Sequence, residues 1–150
     1  MLDANAELFN FCKRMIAFRR THPALRSDTF DGSQEASTGR YPPLSWHGTR
    51  AWDADWSGQS RTLAFMVSEK VSRRGSSAAS KSFVYVAMNM HWEAHDFGLP
   101  GLPEDVRWHV FVNTDMSSPQ DILLPGQEVT IENQAKFLVG ARSVVVLVGR

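Results

Sequence analysis

The chain has 150 residues, of which 43% are hydrophobic and 21% are charged, a composition typical of one soluble globular domain. Sixteen basic and sixteen acidic residues give a formal net charge of zero, so no global field draws in nucleic acid or an anionic bilayer. No apolar run approaches the length of a membrane span. We therefore expect neither nucleic acid nor a membrane among the partners.

The single cysteine, Cys12, predicts the compartment. It cannot form an internal disulfide, and its place in a helical pattern favours a buried thiol that acts as a small hydrophobe. The N-terminal residues lack the positive start and the apolar core of a secretion signal. These features predict a reducing, cytoplasmic location.

An amphipathic helix is predicted from about Asn5, a capping residue, to Thr21, because Pro23 disfavours helix at the residue before it. The three-and-four spacing of one apolar stripe is set by Leu8, Phe11, Cys12, Met15 and Ile16. Phe9 and Phe18 lie off this stripe, so one small domain would not bury all of the helix's apolar surface. A missing neighbour would explain the surplus.

Residues 27–43 are rich in Asp, Gly, Ser, Thr and Pro and predict a surface connection. Short β-like runs follow at 44–47, 62–67, 83–90, 95–99, 107–113, 128–131 and 143–148. One helix before about seven strands predicts a mainly β fold, an antiparallel β-sandwich with an appended helix. The polar segment 68–82 between two of the runs predicts a flexible hairpin loop.

The run 83–92 is the centre of this prediction. Phe83, Tyr85 and Ala87 would point to one side of a strand and the intervening Val84 and Val86 to the other. Both faces are apolar, which predicts a central strand covered on both sides. The same reasoning places 144–148, apolar at every position, in another central strand.

Candidate chemistry is sparse. His91 and His95 flank Glu93, but a zinc-protease helix needs the glutamate directly after the first histidine, and no third ligand is in view. We expect these histidines to hydrogen-bond at a strand end or to line an interface. The pattern predicts no metal and no cofactor.

No catalytic residue is predicted either. The acidic residues that a glycosidase pair would need all occur in polar loops, where solvation leaves them ordinary acids: Asp53, Asp55, Glu93, Asp96, Glu104 and Asp105. No Gly-x-Ser-x-Gly elbow and no phosphate-binding glycine loop occurs.

Tryptophan is the most informative residue type. Trp46, Trp52 and Trp56 fall within eleven residues, and Trp92 follows later. An indole can stack on the apolar face of a sugar ring, but it is also a common core and interface residue. Six residues are therefore candidates for contact with either a glucan or a neighbouring domain: Trp46, His47, Trp52, Trp56, His91 and Trp92.

Six segments occur in the order and spacing of one family. They are residues 5–9, 19–26, 46–48 with 55–57, 61–65, 84–93 and 141–147. Together they resemble the C-terminal region of isoamylase-type glycogen-debranching enzymes, members of the α-amylase superfamily of glycoside hydrolases. The resemblance spans nearly the whole chain.

The resemblance implies a Greek-key sandwich of the type that follows the catalytic (β/α)-barrel in that superfamily. Residues 1–26 would be the terminal helix of the barrel and residues 27–150 the C-terminal sandwich. The family's catalytic carboxylates lie on barrel strands, and a barrel takes about 250 residues, so none can be carried over to this chain. The implied role is to pack on and stabilise a barrel that cleaves α-1,6 branch linkages in carbohydrate metabolism.

Two alternatives remain open. A glucan-binding module would use the tryptophans to hold branched α-glucan, and affinity electrophoresis in glycogen would retard it. A free-standing enzyme with unrecognised chemistry would release reducing ends from branched glucan, an activity we do not expect.

Overall fold

The computed structural model describes residues 5–26, 41–71 and 80–150. Within these ranges a helix, α1 (Ala6–Thr21), and a 3-10 turn (Pro23–Arg26) precede eight strands. The strands are β1 (Leu44–His47), β2 (Thr62–Val71), β3 (Ser80–Asn89), β4 (His95–Gly98), β5 (Trp108–Asn113), β6 (Val129–Thr130), β7 (Lys136–Val139) and β8 (Ser143–Gly149). The predicted fold class, mainly β with an N-terminal helix, is confirmed.

The described strands form two antiparallel sheets. The larger has the order β1-β2-β3-β8-β5-β6, and the smaller pairs β4 with β7. The chain leaves the large sheet for β4 and again for β7, and it returns each time. Strand β8 thus enters between β3 and β5, which places the two most apolar runs side by side in the middle of the sheet.

The predicted alternation along β3 is confirmed. Phe83, Tyr85 and Ala87 face a core between the two sheets, whereas Val84 and Val86 face a second core beneath α1. The buried members of the inter-sheet core are Ala64, Met66, Phe83, Tyr85, Ala87, Phe97, Leu99, Trp108, Ile131, Val139, Val145 and Leu147. The large sheet is therefore covered on one face by β4 and β7 and on the other by the helix.

A β-bulge shapes the second core. The pairing of β5 with β8 shifts register between Val110 and Val112, so the intervening Phe111 adds a side chain to the helix side of the sheet. Its ring stacks on Phe18 of α1, with centroids 4.1 Å apart and planes 15° apart. Phe18 is 1% exposed and is the buried residue of the helix.

This contact corrects the predicted orientation of the helix. Phe11 and Met15 pack with Phe18 on the sheet. These three side chains form a narrower face than the predicted stripe. Leu8 and Ile16 are 63% and 61% exposed. Cys12 is exposed too, so the prediction of a buried thiol was wrong. The stripe exists, but the sheet covers only one edge of it.

The observed strands also differ from the predicted ones in two places. Strand β7, which carries Phe137 and Val139 into the inter-sheet core, was not predicted. The predicted loop 68–82 is shorter than its composition indicated, because β2 continues to Val71 and β3 begins at Ser80. Residues 72–79 of that loop, and 27–40 of the predicted surface connection, lie outside the described residues.

The hydroxyl of Tyr85 supplies a first prediction. Tyr85 is fully buried, and no partner for its hydroxyl occurs in the described part of the chain. Burial also raises the pKa of this phenol. Because a desolvated hydroxyl without a partner costs free energy, Tyr85→Phe is expected to keep or to raise the free energy of unfolding, by up to about 1 kcal/mol in urea titrations.

Tyr41→Phe is the matched control. The Tyr41 hydroxyl donates to the Gly101 carbonyl at 2.9 Å, so its removal is expected to cost about 0.5–1 kcal/mol. A clear loss of stability in Tyr85→Phe would contradict our account of the buried hydroxyl.

Candidate functional site

The six candidate residues fall on two surfaces, one buried position and one exposed loop. Trp46 and Trp56 lie on the helix side of the large sheet at its β1 edge. His91 and Trp92 lie at the end of the sandwich, in the turn between β3 and β4. His47 is fully buried, and Trp52 packs on it.

The first surface, which we call the tryptophan face, consists of Trp46, Trp56 and Phe65. Trp46 pairs with Phe65 across β1 and β2, and Phe65 pairs with Val86 of the helix-side core, so these side chains project on the same side as α1. The Trp46 ring meets Trp56 edge-on at 5.6 Å and Phe65 at 5.8 Å. Trp46 and Trp56 remain 43% and 67% exposed.

His47 supports its neighbours from within. Its Nδ1 accepts a hydrogen bond from the Trp52 amide at 2.7 Å, so the neutral ring carries its proton on Nε2 and donates it to the Ser45 hydroxyl at 2.8 Å. Burial lowers the pKa of His47 from 6.5 to about 4. With no exposed surface, the His47 side chain does not itself reach a glucan or a partner domain.

The loop after β1 owes its shape to this bond. Trp52 adopts a left-handed backbone conformation, with φ of 67°, which is uncommon for a bulky residue. Its ring packs against His47 at 4.8 Å and is still 48% exposed. Gly48 lets the loop close, because a Cβ there would lie 2.6 Å from the Asp53 carbonyl oxygen. The turn therefore holds Trp52 in one orientation at the surface.

The second surface, which we call the end cleft, has a volume of about 540 Å³. It opens where the β1–β2 loop meets the β3–β4 turn. The residues that line it include Thr49, Asp55, Arg61, His91, Trp92 and His95. The cleft brings together a predicted pair, His91 and Trp92, with polar residues from a distant part of the chain.

The two histidines of the cleft do not have the geometry of a metal site. The rings of His91 and His95 meet edge-on at 4.7 Å, and His91 Nδ1 accepts from the Glu93 amide at 3.1 Å. No group of three or more metal-ligating side chains occurs among the residues with described positions. His91 thus hydrogen-bonds just beyond the end of β3, which is one of the two roles expected for these histidines.

Asn89, which the sequence reasoning missed, fixes this end of the molecule. It is fully buried at the last position of β3. Its side-chain nitrogen donates to the carbonyls of Glu93, Val139 and Gly140 at 2.8, 3.1 and 2.9 Å, and its oxygen accepts from the His91 amide at 3.0 Å. One amide ties β3 to two turns. A polar residue directly after the apolar run 83–88 was the available signal.

Two of the candidate acidic residues have defined partners, Asp55 and Asp96. The pKa of Asp55 is lowered, first by the hydrogen bond from the Ser57 amide and then by the Ser57 hydroxyl, which favours the ionised form. A glycosidase general acid requires the opposite shift. Asp96 pairs with Lys136 at 2.6 Å on the exposed side of the small sheet.

Comparison with known proteins identifies the family. Residues 45–144 match the model of the family described as "Isoamylase 1-3, C-terminal". The chain therefore belongs to the isoamylase C-terminal domain family, as its sequence motifs indicated, and its relatives include the isoamylases.

Three relatives illustrate the match. Isoamylase SU1, chloroplastic, from Zea mays is 30% identical over 91% of this chain and 15% of its own length. An isoamylase from Flavobacterium sp is 31% identical over 99% of this chain and 19% of its own length. Isoamylase from Pseudomonas amyloderamosa is 29% identical over 84% of this chain and 15% of its own length. The chain thus spans less than a fifth of the length of these relatives.

No helix within the described ranges combines the length and the apolar character needed to cross a membrane.

Proposed function

We propose that this chain is the C-terminal β-sandwich of a glycogen-debranching isoamylase and that it stabilises the catalytic (β/α)-barrel by packing on it. In this proposal residues 1–26 form the terminal helix of the barrel and residues 27–150 the sandwich. The barrel cleaves α-1,6 branch linkages, and this chain contributes no catalytic residue. The single cysteine supports a reducing, cytoplasmic location, which cell fractionation would test.

The observation that carries the proposal is the exposed apolar surface of α1. Leu8, Phe9, Cys12 and Ile16, which we call the apolar helix flank, adjoin the face that packs on the sheet. Leu8, Phe9 and Ile16 are between 56% and 63% exposed. A monomeric domain rarely leaves so many large apolar side chains together in water, whereas an interface between domains would bury them.

The tryptophan face supports the same proposal. It lies on the helix side of the large sheet, so one neighbouring domain seated against that side could cover both surfaces. Burying a large apolar side chain contributes about 1.5–3 kcal/mol, so covering these residues would stabilise both partners.

The test compares this chain alone with the same chain extended N-terminally as its gene encodes. Ile16→Lys is expected to lower the free energy of unfolding of the long form by about 2 kcal/mol, because it would put a charge into the barrel interface. It is expected to change the short form by less than about 0.5 kcal/mol, because Ile16 is 61% exposed there. Urea unfolding of both forms measures the difference.

Leu138→Lys is the matched control. Leu138 is also 61% exposed, but it lies on β7 in the other layer, and the substitution is expected to be silent in both forms. Equal effects of Ile16→Lys in the two forms would contradict the packing role. An upstream reading frame too short for a barrel of about 250 residues would contradict the parentage.

Direct contact with α-glucan is the second candidate function. It is favoured by the exposure of Trp56 and Trp92, 67% and 61%, since an exposed indole offers an apolar platform to a sugar ring. Retardation of the chain during electrophoresis in glycogen-containing gels tests it. A scaffold that never touches substrate would migrate as it does without glycogen.

A further inference from the structure

Trp92 is presented as a platform with one face already covered. The His91 ring stacks on it, with centroids 4.0 Å apart and planes 26° apart. The guanidinium carbon of Arg61 lies over the indole, 5.6 Å from its centre, farther away than the His91 ring. Trp92 remains 61% exposed. Because most of its surface is exposed, part of the indole is open to an apolar surface from solvent.

The turn that carries Trp92 is held in place by buried hydrogen bonds. Asn89 accepts from the His91 amide and donates to the Glu93 carbonyl, which brackets Trp92 on both sides in the sequence. Arg61 is held close by the chain itself, because the Met90 amide donates to the Arg61 carbonyl at 2.8 Å. An aromatic platform on a fixed turn loses little conformational entropy when a ligand binds.

The polar groups around Trp92 include both hydrogen-bond donors and hydrogen-bond acceptors. Arg61 can only donate hydrogen bonds, and the ionised Asp55 can only accept them. His95 also lines the cleft, and its Nε2 atom is buried with no partner within the described part of the chain. A sugar hydroxyl both donates and accepts, so it complements both charged residues. Their opposite charges cancel, which leaves no net field in favour of an anion.

We propose that the end cleft is a carbohydrate subsite that takes one or two glucose units of an α-glucan chain. The apolar face of one ring lies on Trp92, Arg61 donates to its hydroxyls and Asp55 accepts from them. The volume of about 540 Å³ falls within the range of small-molecule sites, about 300–1,000 Å³. The inference rests on the second candidate function and assigns it a place and a set of polar partners.

The test is a titration of the purified chain with maltotetraose, followed by NMR chemical shifts and by calorimetry. Saturable binding is expected. Trp92→Ala is expected to weaken it about tenfold, because it removes the stacking surface, and Arg61→Ala about threefold. Both side chains are exposed, so circular dichroism and urea midpoints are expected to match the unsubstituted chain.

Trp56→Ala is the matched control. It removes an indole of similar exposure from the tryptophan face, and maltotetraose affinity is expected to stay within twofold. Absence of saturable binding overturns the subsite. Loss of binding in Trp56→Ala with retention in Trp92→Ala also overturns it, while keeping glucan contact on the tryptophan face. Neither outcome bears on the packing role, which the Ile16→Lys comparison tests separately.

Discussion

Replacing Asn89 by aspartate is expected to lower the free energy of unfolding by about 4 kcal/mol at neutral pH. The substitution keeps the size of the side chain and the oxygen that accepts from the His91 amide. It replaces the NH2 group with an oxygen, which would face three carbonyl oxygens within about 3 Å. The cost has two parts, the lost donor bonds and a buried carboxylate surrounded by acceptors.

The pH dependence of that cost separates the two parts. Burial among carbonyls raises the pKa of the new carboxyl above its unfolded value of about 4. The loss of stability that the carboxylate causes therefore grows as pH rises from the unfolded to the folded pKa, and it shrinks on acidification. The difference between Asn89→Asp and the unsubstituted chain is therefore expected to be smaller at about pH 5 than at about pH 7. Urea titrations of both proteins at the two pH values measure it.

Asn133→Asp is the control for Asn89→Asp. The Asn133 side-chain oxygen also accepts a backbone bond, from Ala135 at 3.0 Å, but the residue is exposed. Its replacement is expected to change stability by less than about 0.5 kcal/mol. If Asn89→Asp were equally mild, the amide would not be the tie between β3 and its two turns that its contacts indicate.

Acidification from about pH 7.5 to about pH 5 is expected to cost the folded chain about 2 kcal/mol through His47 alone. The folded pKa of about 4 lies below the unfolded value of 6.5, so the unfolded chain binds more protons in this window. The contribution is fully present above the unfolded pKa and falls as pH approaches the folded pKa. Each pH unit inside the window is worth about 1.4 kcal/mol, with a limit of about 3 kcal/mol.

The physical cause is that the protonated ring has no place in the fold. His47 Nδ1 accepts from the Trp52 amide, so a proton there would face another donor in a fully buried position. His47→Gln is expected to be less stable than the parent at neutral pH but to lose about 2 kcal/mol less on acidification. Unfolding free energies from urea titrations across the pH range test this.

His109→Gln is the control for His47→Gln. The His109 ring lies toward solvent and contacts the Arg107 carbonyl at 2.8 Å. If His47 produces the acid-dependent loss of stability, that loss persists in His109→Gln. An unchanged acid dependence in His47→Gln would mean that other groups, not His47, produce the loss.

His47 and Asn89 both lie beneath the candidate surfaces. His47 holds the loop that carries Trp52, and Asn89 holds the turn that carries Trp92. Substitutions of His47 or Asn89 that leave the chain folded are therefore expected to move Trp52 or Trp92, and in this way to disturb binding and packing. This is why the binding test uses Trp92 and Arg61, whose side chains are exposed.

The strands could be predicted because their signal is local. An apolar run such as 83–88 or 144–148 buries both faces in any sandwich, so its composition alone places it in the centre of a sheet. Strand β7 was missed because it is short, lies at a sheet edge and exposes Leu138. The segment before it, which includes Asn133 and Gln134, has the composition of a turn and hides the start of the strand.

The helix shows the limit of such reasoning. Spacing alone predicted the extent of α1 but placed Phe18 off the stripe and Cys12 in the core, the reverse of what is observed. The cause is in another part of the chain, because the bulge at Phe111 puts a ring on the helix side of the sheet, where Phe18 stacks on it. The spacing of apolar residues indicates which face of a helix is apolar, but not which part of that face packs on a neighbour.

The sequence by itself determined the family, the mainly β class and the two central strands, because apolar alternation and ordered motifs are properties of neighbouring residues. Only the tertiary structure decided which tryptophans share a surface, since Trp46 and Trp56 meet across a loop and Trp92 meets Arg61 across two strands. It also decided that His47 is interior and Asn89 a tie between turns. Such contacts join residues far apart in the chain, and their geometry depends on register, bulges and the closing of turns rather than on local composition.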